Sequence, residues 1–181
     1  SSVDRVREEI ERVARRVRKL SEDSHREVEK VLKEVEEISK RTHEEIDKVV
    51  KEVEKVIRDT TDKRELRKVV DDLRKVAEEA HKKNEDALRK LEKVVREVMT
   101  KNRKVLEELR KVVKEVIEKL EREGAPEEVL EEIRRLLETV EREVKTDIDR
   151  LREELRRVEE AVKKDSEDIR RKLKRVEDDV K

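Results

Sequence analysis

The sequence predicts an all-α fold, an elongated up-down-up antiparallel three-helix bundle with little supercoil. Apolar and small residues recur along nearly the whole chain at the three- and four-residue spacing that places them on one helix face. Of the 181 residues 57% are charged, there is no Phe, Tyr, Trp or Cys, and Gly and Pro occur once each. Long helices have this composition. Disordered chains are equally polar but lack the regular apolar spacing, so the pattern favours helices.

The first helix is predicted over about residues 2–58. It ends where small polar residues cluster at 58–62. Asp62, followed three residues later by Glu65, fits a capping box with Asp62 at the N-cap, and therefore starts the second helix.

The second and third helices are predicted over about residues 62–123 and 126–180. Gly124 suits the left-handed residue that ends a helix, and Pro126 suits the first turn of the next one. Because both turns are short, neighbouring helices must be antiparallel. Residues 1–181 are predicted to form a single domain.

The first helix repeats itself every 18 residues. Residues 21–38 read SEDSHREVEKVLKEVEEI and residues 39–56 read SKRTHEEIDKVVKEVEKV. Eighteen residues make five turns at 3.6 residues per turn, the period of the helix itself, so the apolar stripe requires almost no supercoil. The other two helices repeat in the same way, and three straight helices sharing one cell explain the repeat.

Polar residues interrupt the three apolar stripes at matching heights. Folding the chain at the two turns brings them into two groups, which we interpret as polar layers with a structural role. One group contains Thr42, His43, His81, Asn84, Asp165 and Ser166; the other contains Ser24, His25, Asn102 and Asp147. Buried polar groups are costly unless paired. Pairing them only in the correct register penalises shifted arrangements that a uniform apolar stripe tolerates.

These features together resemble de novo designed helical bundles with buried hydrogen-bond networks. The likeness covers the whole chain: idealised helices, a Gly-Ala-Pro-Glu-Glu turn at 124–128, a Glu/Lys/Arg surface and nearly copied 18-residue cells. The Val-rich core departs from the Leu-rich cores more common in such designs. The resemblance implies a structural scaffold with no natural substrate and no catalytic residues. A start at Ser1-Ser2 rather than at Met is expected of a recombinant product trimmed from a tag.

Catalytic and metal sites are weakly indicated. His25 and His81 each follow a glutamate by three residues, as in di-metal bundles, but those sites need two facing motifs and two further core glutamates. Ser24 and His25 are adjacent, so their side chains point about 100° apart along the helix and do not face each other. We therefore expect no enzyme activity, no metal and no cofactor.

The balance of acidic and basic residues argues against several classes of binding partner. With 52 basic and 52 acidic residues the formal net charge is +0, which removes the electrostatic attraction that drives binding to nucleic acid or anionic lipid. We expect no nucleic acid, membrane or small-molecule partner, and we favour a monomer. A homo-oligomer, or association with designed partner helices, stays open. No targeting signal is visible, so the sequence leaves localisation open.

The histidines leave a pH-responsive switch as an alternative function, because His is the side chain that changes charge near neutral pH. An imidazole that accepts a hydrogen bond loses that bond on protonation, whereas one beside an ionised Asp147 or Asp165 is favoured in its protonated form. A self-assembling or interaction module is a second alternative, which would require an exposed apolar strip.

Overall fold

The computed structural model describes residues 2–181. This part of the chain contains three α-helices and no strand: α1 (Ser2–Asp59), α2 (Lys63–Arg122) and α3 (Glu127–Val180). The all-α prediction is confirmed, and each helix begins and ends within one residue of its predicted bounds.

The α1–α2 junction is closed by a side-chain cap. Oδ1 of Asp62 accepts a hydrogen bond from the backbone N–H of Arg64 at 3.0 Å, and the Asp62 carbonyl accepts from Leu66 N–H at 3.1 Å. Asp62 is therefore the N-cap of α2, as predicted, and satisfies one of the N–H groups that a helix start leaves unpaired.

The α2–α3 junction is a Schellman turn. Gly124 has φ +75°, the left-handed conformation predicted for it. Ala125 N–H donates to the Leu120 carbonyl at 2.9 Å and Gly124 N–H donates to the Glu121 carbonyl at 3.1 Å. These two bonds satisfy the last carbonyls of α2. Pro126 follows directly, and its carbonyl accepts from Val129 N–H at 3.0 Å to start α3.

The chain divides into two compact units, each containing part of all three helices. Unit 1 consists of Ser1–Glu29 and Lys93–Glu154, and unit 2 of Lys30–Glu92 and Leu155–Lys181. The core of unit 1 comprises Ile10, Ala14, Val17, Leu106, Leu109, Val113, Leu120, Leu130, Ile133, Val140, Val144 and Ile148. The core of unit 2 comprises Ile46, Val50, Val53, Val70, Leu73, Ala77, Ala80, Ile169 and Val176. That the whole chain forms a single domain stays a prediction.

Ion pairs within unit 2 give the helix directions. Lys90 contacts Glu34 at 3.0 Å and Arg74 contacts Glu177 at 2.8 Å, while Lys172 contacts Asp47 at 2.5 Å. Together with the polar contacts described below, these pairs make α2 antiparallel to its neighbours and α1 parallel to α3. In unit 1, Arg7–Glu132 and Arg18–Glu143 give the same parallel direction for α1 and α3, since both pairs are 125 residues apart.

Candidate functional site

The larger polar cluster lies in unit 2, and we call it the His43 layer. It consists of Ser39, Thr42 and His43 on α1, His81, Asn84 and Glu85 on α2, and Asp165 and Ser166 on α3. Ser39 lies three and four residues before Thr42 and His43, so it is a neighbour of both on the α1 surface. Thr42 and His43 are adjacent, and they contact α2 and α3 respectively.

Asp165 joins α3 to α1. Its Oδ2 accepts a hydrogen bond from the Ser39 hydroxyl, and its Oδ1 lies 2.9 Å from Nε2 of His43. An ionised carboxylate only accepts hydrogen bonds, so Nε2 of His43 carries the proton in this contact.

Thr42 joins α1 to α2. Its hydroxyl lies 3.3 Å from Oδ1 of Asn84 and 2.9 Å from the Ser39 carbonyl. A threonine hydroxyl has one proton to donate, so the two acceptors share it. Thr42 and Asn84 are each 2% exposed, and Nδ2 of Asn84 has no hydrogen-bond partner among the described residues.

His81 joins α2 to α3. Its Nδ1 lies 3.0 Å from the Ser166 hydroxyl, and its Nε2 lies 3.0 Å from Oε1 of Glu85, one turn further along α2. Since Glu85 can only accept, Nε2 carries a proton and Nδ1 of the neutral ring accepts from Ser166.

The smaller cluster lies in unit 1, and we call it the His25 layer. Ser21 and His25 on α1 contact Asp147 on α3. Ser24 on α1 and Asn102 on α2 are assigned to the layer because they correspond to Thr42 and Asn84 in the 18-residue cell. Asp147 Oδ2 accepts from the Ser21 hydroxyl, and Oδ1 lies 3.5 Å from Nε2 of His25, too far for a strong hydrogen bond. Asn102 is 2% exposed, and among the described residues neither its Oδ1 nor its Nδ2 has a hydrogen-bond partner.

The two layers are related by the 18-residue cell, and they differ at four positions. Ser24 and Arg103 correspond to Thr42 and Glu85. Met99 and Ile148 occupy the positions that correspond to His81 and Ser166. The His25 layer consequently lacks a counterpart of the polar contact between α2 and α3.

The histidines lie at the edge of the layers rather than in the buried interior. Their side chains are 30%, 29% and 37% exposed for His25, His43 and His81. The prediction of buried histidine layers is corrected to this extent, because the long imidazole side chains on the flank of the stripe reach toward solvent. The hydroxyl and amide residues Ser21, Ser24, Thr42, Asn84 and Asn102 are buried.

Three layer members were absent from the sequence-based list: Ser21, Ser39 and Glu85. The repeat contained a signal for the two serines, since each lies one turn before a histidine at the same position in consecutive cells. Glu85 carried no such signal, because a glutamate four residues after a histidine is ordinary on a helix surface.

The ion pair between Lys172 and Asp47 lies beside the His43 layer and changes the pKa of Asp47. The hydrogen bond from Lys172 lowers the pKa of Asp47 from its ordinary value of 3.8. Partial burial opposes this effect, and the charges of Lys172 and His43 add to it. Further along unit 2, the hydrogen bond to Glu177 raises the pKa of Arg74.

A groove adjoins the His25 layer between α1 and α3. Ser21, His25 and Asp147 contribute to its lining. The ion pair between Arg18 Nε and Glu143 Oε2, 2.9 Å apart, lies along the same groove. Its polar lining therefore mixes charges of both signs.

In residues 2–181 no group of three or more His, Cys, Asp or Glu side chains is placed to hold a metal ion. None of the described helices has a segment long and apolar enough to cross a membrane. No large hydrophobic side chain is exposed within the described region.

Comparison with known proteins gave a likeness among solved structures. No family model matches the chain, and no curated protein matches its sequence. Among solved structures the chain is similar to a "Computationally designed three helix bundle", with a TM-score of 0.35 and 17% sequence identity. The match covers 99% of this chain and 87% of that chain.

Proposed function

We propose that the chain is a designed structural scaffold without a natural biochemical activity, in which the polar layers specify the register of three helices. One observation carries the proposal: the His43 layer provides a polar contact for every pair of helices, namely His43–Asp165, Thr42–Asn84 and His81–Ser166. A cluster with one contact per helix pair restrains all three helices at a single height.

The apolar stripes alone do not specify register. Because the cell repeats every 18 residues, a helix displaced by one cell, about 27 Å, presents nearly the same stripe to its neighbours. The displacement would place buried polar groups against apolar side chains, at a cost of about 1–3 kcal/mol for each unpaired group. Within one chain the short junctions set the heights to within about one turn, and the layers select the register within that range. The layers also act against shifted pairing between different chains.

The sequence supports a designed origin. Nearly copied cells, a core without aromatic residues and helices interrupted only at two capped junctions resemble the idealised elements of designed bundles. The layer contacts account for the polar residues without a substrate or a cofactor, so we propose that the chain is not an enzyme.

The register proposal is tested by replacing Asn84 and Asn102 together with Leu. We expect the free energy of unfolding to stay unchanged or to rise by about 1–3 kcal/mol, because two poorly paired buried amides are removed. Guanidinium titration followed by circular dichroism measures this change. Most of the gain should come from Asn102→Leu alone, since Asn84 retains the contact with Thr42.

The same double variant should lose specificity. Light scattering over a range of protein concentrations should detect oligomers that the parent chain does not form, with the two single variants as matched controls. A double variant that unfolds, or that stays as uniform in mass as the parent, contradicts the proposal.

A pH-responsive switch is the second candidate, and the contacts of the histidines bear on it. Each histidine faces a carboxylate: His25 and His43 face Asp147 and Asp165, and His81 faces Glu85. In all three contacts Nε2 points at the carboxylate, so protonation adds a proton at Nδ1 and leaves this contact in place. At His81 the Ser166 hydroxyl can accept as well as donate, so that contact also survives. Contacts that persist in both charge states favour the scaffold over the switch.

A further inference from the structure

The hydroxyl of Ser166 is held in a three-residue chain in which the scaffold role uses the His81–Ser166 contact but not the contact between His81 and Glu85. Ser166 Oγ lies 3.0 Å from Nδ1 of His81, and Nε2 of the same ring lies 3.0 Å from Oε1 of Glu85. A hydroxyl within reach of an imidazole, which is itself oriented by a carboxylate, is the arrangement that activates a serine nucleophile.

The proton positions suit this role. Glu85 requires a proton on Nε2 of His81, which leaves Nδ1 of the neutral ring as the acceptor for the Ser166 proton. His81 is thus oriented as a base toward Ser166 before any reagent arrives.

Four other hydroxyls donate to weaker bases or to carbonyls of their own helix. Ser21 and Ser39 donate to aspartates, and Thr139 and Thr146 donate at 2.9 Å to carbonyls of their own helix. Among the hydrogen bonds of the described residues, Ser166 is the hydroxyl that contacts an imidazole.

The site is open to small reagents. The side chains of His81 and Glu85 are 37% and 46% exposed, and Ser166 is partly exposed. All three residues lie inside long helices, where backbone N–H groups are engaged in the helix and do not form an oxyanion hole. The arrangement therefore favours a slow stoichiometric modification over rapid turnover.

We infer that Ser166 is the preferred acceptor of phosphonyl and acyl groups from activated electrophiles, with His81 as the base and Glu85 as the residue that positions it. With a fluorophosphonate, Ser166 Oγ attacks phosphorus, the P–O bond forms, and fluoride leaves with the electrons of the P–F bond. The hydroxyl proton passes to Nδ1 of His81 and then to water.

The test uses the full chain and a fluorophosphonate reporter, with intact mass and peptide mapping as readouts. We expect one adduct per chain, on the peptide containing Ser166. Ser166→Ala should abolish it, and Thr146→Ala, which removes a hydroxyl bonded to its own helix, should leave the rate unchanged. Labelling of lysines or of other hydroxyls in preference to Ser166 would overturn the inference.

The roles of the other two residues are tested by rates. His81→Gln should slow labelling at least tenfold, since a positioned base contributes on the order of 10²–10⁴-fold. Glu85→Ala should slow it less, and Glu85→Gln, whose carbonyl still accepts from Nε2–H, should restore part of the rate at an unchanged melting temperature. An unchanged rate in His81→Gln contradicts the inference. So does equal labelling of Ser166 in the folded and the urea-unfolded parent chain, a measurement that needs no variant.

Discussion

Single polar atoms distinguish the two layers. In the His43 layer Asn84 Oδ1 receives a hydrogen bond from Thr42, whereas in the His25 layer neither amide atom of Asn102 has a partner among the described residues. An unpaired buried amide costs about 1–3 kcal/mol. We therefore interpret the His43 layer as the stronger restraint on register and the His25 layer as a site where stability is lost.

One residue-scale prediction concerns Asp47. Its folded-state pKa is lowered by the hydrogen bond from Lys172. The pair therefore stabilises the fold above the ordinary value of 3.8, and this contribution is lost as pH falls through the lowered folded-state value. Because both side chains are partly exposed, we expect Lys172→Ala to cost about 0.2–1 kcal/mol at pH 7 and progressively less as pH falls below 3.8.

Urea titrations of the parent, Lys172→Ala, Asp47→Asn and the double variant form the cycle that isolates the pair. The interaction energy should also decrease in 1 M NaCl, where the electrostatic screening length is about 3 Å. An interaction energy that grows toward pH 2 would refute this assignment.

At the scale of elements, the two junctions use different devices. The start of α2 depends on the Asp62 side chain, which bonds a backbone N–H, whereas the end of α2 depends on the backbone conformation of Gly124. Alanine at position 62 would remove a side-chain hydrogen bond, whereas alanine at position 124 would have to adopt a left-handed backbone conformation.

The element-scale prediction is that Gly124→Ala destabilises through the backbone alone. A Cβ at this position meets no atom within 4 Å, so no steric clash adds to the cost of a left-handed alanine. We expect a loss of about 1–2 kcal/mol in the free energy of unfolding, measured by guanidinium titration. Gly124→Asn is the matched control and should lose less, because Asn tolerates this conformation. Equal losses for the two variants would indicate a cause other than backbone conformation.

At the scale of the whole molecule, the apolar surface argues against association. Within the described region no large hydrophobic side chain is exposed. An interaction module needs an exposed apolar strip. We accordingly expect a monomer of 21.8 kDa.

The whole-molecule prediction separates the scaffold from the pH switch. Between pH 8 and pH 5 we expect the melting temperature to shift, while the helix content and the mass stay constant, because the histidine–carboxylate contacts persist when the rings are protonated. Circular dichroism and light scattering at both pH values measure this. Unfolding or a change of oligomer in this interval, abolished by His→Asn at 25, 43 and 81, would establish the switch instead.

The sequence by itself determined the helices and the junctions, and it brought some members of the layers to matching heights. Apolar spacing defines which face of a helix is buried, and the capping residues Asp62 and Gly124 define where helices start and stop. Two short junctions then set the heights of the helices to within about one turn. That precision was enough to place His43 near Asp165, and His81 near Ser166.

Only the tertiary structure decided which donor meets which acceptor. Adjacent helix positions differ by about 1.5 Å in height and 100° in direction, so a hydrogen bond depends on rotamers and offsets finer than one turn. Ser39 rather than Thr42 therefore binds Asp165, and His81 binds Glu85. The unpaired amide of Asn102 could not be predicted from the sequence either. Whether the amide finds a partner depends on the positions of all the side chains around it, and the pattern of one helix does not contain them.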